Sequence, residues 1–218
     1  MPNNKEWNDR WLEGDTPWSY PEADDAFYKD EKKLISLLNT TKELKILFPL
    51  SGSTPLIKYF HDKGHSVTAV EFSQAAVKDL KTSLFSNFEF VVSNNIHKTN
   101  RLEIHESNFL EFNSANEFDL IYDRAAFVAI EPKDRKKYAS ILSSTLKTQG
   151  LLYITLFEWG TNDQYGPPYT SPLAEVEKLF SNFIKVSSRR ITEKEVSEKM
   201  KNAGIFEFYY THTIFRKS

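Results

Sequence analysis

The chain has 218 residues, 40% of them hydrophobic and 14% aromatic, with a formal net charge of -2 and no cysteine. This length and composition suit a single α/β domain with a sizeable core and exclude a disordered chain. The near-neutral charge gives no reason to expect nucleic acid or an anionic membrane as partner, and the missing cysteine excludes disulfides, thiolate metal ligands and a thiol nucleophile.

The leader MPNNKEWNDRW is polar and has no apolar signal-peptide core. No apolar run approaches the roughly 18 residues that span a bilayer, so a soluble, cytoplasmic chain is expected. Residues 1–28 nevertheless carry Trp7, Trp11, Trp18 and Tyr20. So many rings in a polar stretch predict a segment that folds back over something.

A helix is predicted over 24–39, where Leu34, Leu37 and Leu38 share one face. The run Lys45–Leu50 reads as a buried strand ending in the turn Ser51-Gly52-Ser53. Pro55–Lys63 has helical spacing, with Gly64 as its C-terminal stop. Ser66–Phe72 is the second strand, and Ser73 caps a helix from Gln74 to about Ser83.

The stretch 84–100 reads as irregular, followed by strands at 102–106 and 118–122. A helix from Pro132 to Lys147 has Pro in its first turn and Gly150 just after it. Leu151–Phe157 is the fifth strand, 160–168 a Gly/Pro loop and 173–180 a helix. Two further strands, 184–190 and 206–215, flank an amphipathic helix near 193–202. The alternation predicts an α/β, Rossmann-like fold: a mostly parallel seven-stranded sheet with an antiparallel C-terminal strand and helices on both faces.

In such sheets ligands sit at the C-terminal strand ends, near the point where strand order reverses. Leu50 and Gly52 occupy the first such end, although one glycine makes a poor pyrophosphate cradle and an ordinary strand–helix turn reads equally well. Glu71 ends the second strand about 20 residues later, as expected of a carboxylate accepting both hydroxyls of a ribose. This pairing points to a nucleoside ligand without separating a nicotinamide dinucleotide from S-adenosylmethionine. Ser107 and Asn108 follow the third strand, where an adenine edge would lie, and a plain turn is the other reading.

Asp123-Arg124 follows the fourth strand. Arg124 either meets a ligand carboxylate or acceptor or pairs with Asp123. Pro167-Pro168-Tyr169 resembles the motif of amino methyltransferases but has Gly166 before it and follows the wrong strand, so it reads as a proline-shaped loop over the substrate. The histidines (His61, His65, His97, His105, His212) have no ligand spacing, and no metal is expected.

Taken together, these segments resemble the thiopurine S-methyltransferase family of class I methyltransferases over most of the chain. Glu6-Trp7-Asn8-Asp9-Arg10-Trp11 with Gly14-Asp15-Thr16 is similar to the family's W-x-x-x-W leader, and Phe48–Ser53 to its P-L-C-G-K loop. Gly64-His65-Ser66-Val67, Val70-Glu71-Phe72-Ser73, Asp119–Ala129 with Pro132, Arg135 and Tyr138, and Gly166–Tyr169 follow in the family's order. Two features depart from it. Ser51-Gly52-Ser53 replaces Cys–Gly–Lys, and Thr16-Pro17-Trp18 is closer to halide and thiol methyltransferases.

The resemblance implies one S-adenosylmethionine-dependent domain over 1–218, with S-adenosylhomocysteine as product and residues 1–40 covering the cofactor. Trp7, Trp11, Leu50, Gly52, Glu71, Ser107, Asn108 and Arg124 would bind the cofactor; Trp18, Pro167 and Tyr169 would face the acceptor. The acceptor would be a small thiol, and the enzyme a monomer. A sulfonium methyl is already activated and many aromatic thiols ionise near neutral pH, so positioning matters more than a strong base; Arg124 would stabilise the thiolate. Halide, selenium or tellurium species, an oxygen or nitrogen acceptor, a non-catalytic cofactor-binding module, and a nicotinamide-dependent dehydrogenase are the rivals.

Overall fold

The structure, a computed structural model, describes residues 4–16, 18, 25–39, 42–160, 165–193 and 195–218. Tyr20, Pro17, and residues 161–164 of the predicted 160–168 loop lie outside them. Nine strands form one sheet: β1 (Lys45–Pro49), β2 (Ser66–Glu71), β3 (Val91–Ser93), β4 (Ile96–Lys98), β5 (Leu102–Glu106), β6 (Phe118–Asp123), β7 (Leu146–Glu158), β8 (Phe183–Thr192) and β9 (Tyr209–Lys217). Their order is β3-β4-β5-β2-β1-β6-β7-β9-β8. Strands β5, β2, β1, β6 and β7 run parallel, and β9 enters antiparallel between β7 and β8.

The expected seven strands are present, and a hairpin adds two. The stretch read as irregular holds β3 and β4, paired antiparallel across Asn94-Asn95. Both asparagines have positive φ, 50° and 59°, the backbone of a two-residue hairpin turn. The strands are three residues each and β3 is exposed throughout, so no alternation marks them in the sequence.

Among the described residues the α-helices are α1 (Asn4–Glu13), α2 (Asp25–Leu38), α3 (Pro55–Asp62), α4 (Gln74–Asp79), α5 (Arg135–Thr145), α6 (Leu173–Leu179) and α7 (Glu198–Asn202). Alternate residues of each central strand enter opposite cores. Ile46, Phe48, Leu120, Tyr122 and Tyr153 pack with Leu34 of α2, Phe60 of α3 and Val77 of α4. Leu47, Ile121, Leu152 and Ile154 pack with Tyr138 and Leu142 of α5 and Val176 of α6. Both faces are covered, hence the unbroken apolar runs.

Three boundaries differ from expectation. Helix α4 stops at Asp79 and continues as a π turn over Leu80–Leu84. α5 ends at Thr145 and β7 starts at once, so Gly150 lies inside a strand and stops no helix. A Cβ there would come within 2.9 Å of the Leu146 side chain and the Lys147 carbonyl, which is why glycine stands at this bend. The helix expected near 193–202 shrinks to α7, capped by Ser197.

Candidate active site

Strand order reverses between β1 and β6, so the crevice lies above the C-terminal ends of β1, β2, β5 and β6. There the chain turns sharply. Leu50 has φ 44° and Gly52 φ 53°, and the N–H of Ser51 donates to the carbonyl of Val70 (3.1 Å). A non-glycine residue at positive φ is uncommon and marks an over-determined turn.

Glu71, only 5% exposed, closes this turn. Its two carboxylate oxygens accept the N–H of Gly52 (2.9 Å) and of Ser73 (2.8 Å). Burial pushes its pKa up, and the backbone N–H groups of Ser73, Gly52 and Phe72 only partly offset this. Each oxygen keeps a lone pair for another donor. The carboxylate can therefore accept a pair of neighbouring hydroxyl donors, as a diol would offer.

The aromatic leader covers this turn. A Cβ on Gly52 would fall 2.9 Å from Cζ2 of Trp11, so the indole of Trp11 lies directly on the glycine. Ser73, the N-cap of α4, donates its hydroxyl to Oδ1 of Asn8 (2.9 Å), fastening α1 beside Glu71. Trp18 meets Trp7 and Trp11 edge-on at 5.0 and 6.1 Å between centroids. The Arg10 guanidinium stacks 4.2 Å over Trp18 and pairs with Asp15 at 2.8 Å.

Arg124, half-buried, donates from Nη1 to the carbonyl of Trp18 (3.3 Å) and so joins β6 to the leader. It stands between Asp123, which is fully buried, and Ala125 at φ 62°. Asp123 takes the N–H groups of Ala126 (2.8 Å) and Phe127 (3.0 Å) on one oxygen and the hydroxyl of Tyr138 (2.8 Å) on the other. Burial pushes its pKa up to about 6 against these donors. This carboxylate shapes the turn that presents Arg124. Beyond the Asp123-Arg124 pair, the sequence marks Asp123 and Tyr138 only as members of a family motif; their hydrogen bond, 15 residues apart, is visible in the structure.

Ser107 donates its N–H to the backbone carbonyl of Glu71 (3.0 Å), which places it next to the end of β2. The Asn108 side chain caps the short turn after β5: Oδ1 accepts from the N–H of Leu110 (3.0 Å) and Nδ2 donates to Glu111 (3.2 Å). On the other side, the Gly166–Pro167 and Pro167–Pro168 bonds are cis. The Tyr169 ring covers Gly166, and its N–H donates to the carbonyl of Val128 (2.7 Å). Pro167 and Tyr169 are thereby joined to the segment that follows Arg124.

A separate polar cleft of about 250 Å³, lined by Lys45, Arg101, Glu103, His105 and Glu117, opens at the opposite ends of the same strands. Among the described residues no group of three or more His, Cys, Asp or Glu side chains is arranged to hold a metal ion, and no helix is long and apolar enough to cross a membrane.

The 1,6-didemethyltoxoflavin-N1-methyltransferase of Burkholderia thailandensis, solved with bound 1,6-didemethyltoxoflavin and S-adenosylhomocysteine, superposes with TM-score 0.68 at 19% identity, covering 99% of this chain and 87% of that one. It shares the fold. The thiopurine S-methyltransferase of Equus caballus is 30% identical over 92% of this chain and 84% of its own. That of Bos taurus is 28% identical over 82% and 75%. The family model for thiopurine S-methyltransferase matches residues 2–217. The chain therefore belongs to the thiopurine S-methyltransferase family and is an S-adenosylmethionine-dependent methyltransferase.

Proposed function

We propose that the enzyme methylates the sulfur of a small thiol, of thiopurine type or another aromatic thiol, acting as a cytoplasmic monomer. One observation carries the cofactor half of the reading. A strand-end carboxylate, a glycine at positive φ and a leader indole meet at one point, Glu71–Gly52–Trp11.

Glu71 would hold the ribose, Leu50 and Gly52 the methionyl part, and Ser107 and Asn108 the adenine, the last through backbone because the Asn108 side chain is engaged as a cap. Trp7 and Trp11 close over the cofactor and exclude water, which strengthens every charge interaction beneath them. When bound, the cofactor supplies a methyl group activated by its sulfonium. The protein's part is to hold an ionised thiol in line, and no strong base is needed for that. Arg124, on the turn shaped by Asp123, offers the thiolate or a ligand carboxylate a fixed positive charge. Trp18, Pro167 and Tyr169 bound the acceptor.

Calorimetric titration with S-adenosylhomocysteine tests the cofactor half: binding to wild type and none to Glu71→Ala is expected. Product mass after incubation with thiols, halide, selenite and oxygen or nitrogen acceptors tests the other half. Trp18 is the feature favouring halide. Methylation of halide but not of any thiol would overturn the thiol assignment.

A further inference from the structure

Arg135 opens α5, and its side chain is only 3% exposed. Nη1 donates to Oε2 of Glu175 on α6 (2.6 Å), and Nη2 to the carbonyl of Thr170 (2.9 Å), the residue after Tyr169. The guanidinium also lies 4.9 Å over the ring of Phe127, whose N–H is held by Asp123. Its Nε is buried without a hydrogen-bond partner. One side chain thus ties the Gly166–Tyr169 loop, the Arg124 turn and α6 together.

That is a costly way to hold a surface loop. The guanidinium is desolvated while the Glu175 side chain stays 38% exposed, so their ion pair gives little net stability over apolar packing, and the best-attested use of a desolvated charge is to fix register. An orphaned buried donor adds a penalty of its own. Lysine could match the charge of arginine but not its planar fork, which serves Glu175 and the Thr170 carbonyl together while stacking on Phe127. The cofactor-side contacts, Glu71 with Gly52 and Ser73, and Trp11 on Gly52, lie on β1, β2 and the leader. Glu175, Thr170 and Phe127, which the Arg135 guanidinium touches, lie on the other side.

We infer that Arg135 is a positioning residue for the methyl acceptor: it sets the 166–170 loop, and with it Pro167 and Tyr169, against Arg124, and so governs acceptor binding while leaving cofactor binding alone. The inference rests on the reading of that loop as the acceptor wall. It makes Arg135 a determinant of which acceptor fits, because a shift of the loop by about 1 Å is enough to change turnover by orders of magnitude.

The test compares wild type with Arg135→Met, Arg135→Lys and Glu175→Gln. The readouts are steady-state methylation of thiophenol, affinity for S-adenosylhomocysteine, and hydrogen exchange at the Tyr169 amide, which the 2.7 Å bond to the Val128 carbonyl protects. Arg135→Met should raise the acceptor KM by about tenfold, leave S-adenosylhomocysteine affinity unchanged and release the Tyr169 amide to exchange. Arg135→Lys and Glu175→Gln should fall between, and they carry the test if Arg135→Met does not fold. An unchanged acceptor KM in the folded variants, or equal shifts in acceptor and cofactor constants, would overturn the inference, since general loosening weakens both. Thiophenol left unmethylated by the wild type would overturn the acceptor reading instead, and exchange at Tyr169 would then still decide whether Arg135 pins the loop.

Discussion

Replacing Asp123 with asparagine should remove a pH-dependent cost of folding. Asp123 is fully buried, and its pKa stands at about 6 against 3.8 for an exposed carboxyl. A raised carboxyl pKa means that the folded state binds the proton more tightly. Below about pH 3.8 both states are protonated and the cost vanishes; it grows as pH rises and is complete above about pH 6. The gap of about 2.2 units corresponds to about 3 kcal/mol at neutral pH. About 1 kcal/mol of this is already present at about pH 4.5, so about 2 kcal/mol develops between there and about pH 7.5. Asparagine keeps the shape: its carbonyl can accept the N–H groups of Ala126 and Phe127, and its amide can donate to Tyr138.

The assay is urea or thermal unfolding of both proteins across this range. The stability of Asp123→Asn relative to wild type should climb by about 2 kcal/mol from the acid to the neutral end, or roughly 6 °C in Tm for a chain of this size. Glu71, also raised by burial, titrates in both proteins and cancels in the difference. Parallel profiles for variant and wild type would refute the assignment of a perturbed, buried carboxyl to Asp123.

Other expectations are narrower. Gly52→Ala forces a side chain at φ 53° into the Trp11 ring; it should cost about 1–2 kcal/mol of backbone strain and weaken S-adenosylhomocysteine binding in a calorimetric titration. Ser73→Ala removes the α4 cap, worth about 1 kcal/mol, together with the bond to Asn8, and should speed proteolytic cleavage within α1. Because burial raises the Glu71 pKa, affinity for S-adenosylhomocysteine should begin to fall on acidification at a higher pH than an ordinary glutamate would give. Glu71→Gln should bind more weakly at neutral pH and lack that acid limb.

What was legible in the sequence and what was not divide along one physical line. Central strands such as Lys45–Pro49 and Phe118–Asp123 were readable because both their faces are covered, which forces an unbroken apolar run. The exposed β3–β4 hairpin left no such mark, although Asn94-Asn95 was a usable turn signal. Glu71, Gly52 and the cap at Ser73 announced themselves through local turn chemistry and spacing. Their partners did not. Asn8 lies 65 residues from Ser73, and the Arg135 bonds to Thr170 and Glu175 span 35 and 40 residues. No window along the chain contains both ends of such a bond.

The proposed cofactor half of the site was therefore the more readable half, since one strand end and the next carry it. The proposed acceptor half is assembled from distant loops, held by Asp123 through Tyr138 and by Arg135 through Thr170. Neither contact adds a group that must touch the acceptor, and each fixes where the groups that would touch it stand. A relative could therefore keep Glu71, Gly52 and Arg124 unchanged and still move its acceptor wall, through a substitution at Arg135, Glu175 or the 166–170 loop alone. On the proposed assignment, acceptor preference can change without disturbing the cofactor site, because the two proposed halves share the sheet and the Arg124 turn but are pinned by different side chains.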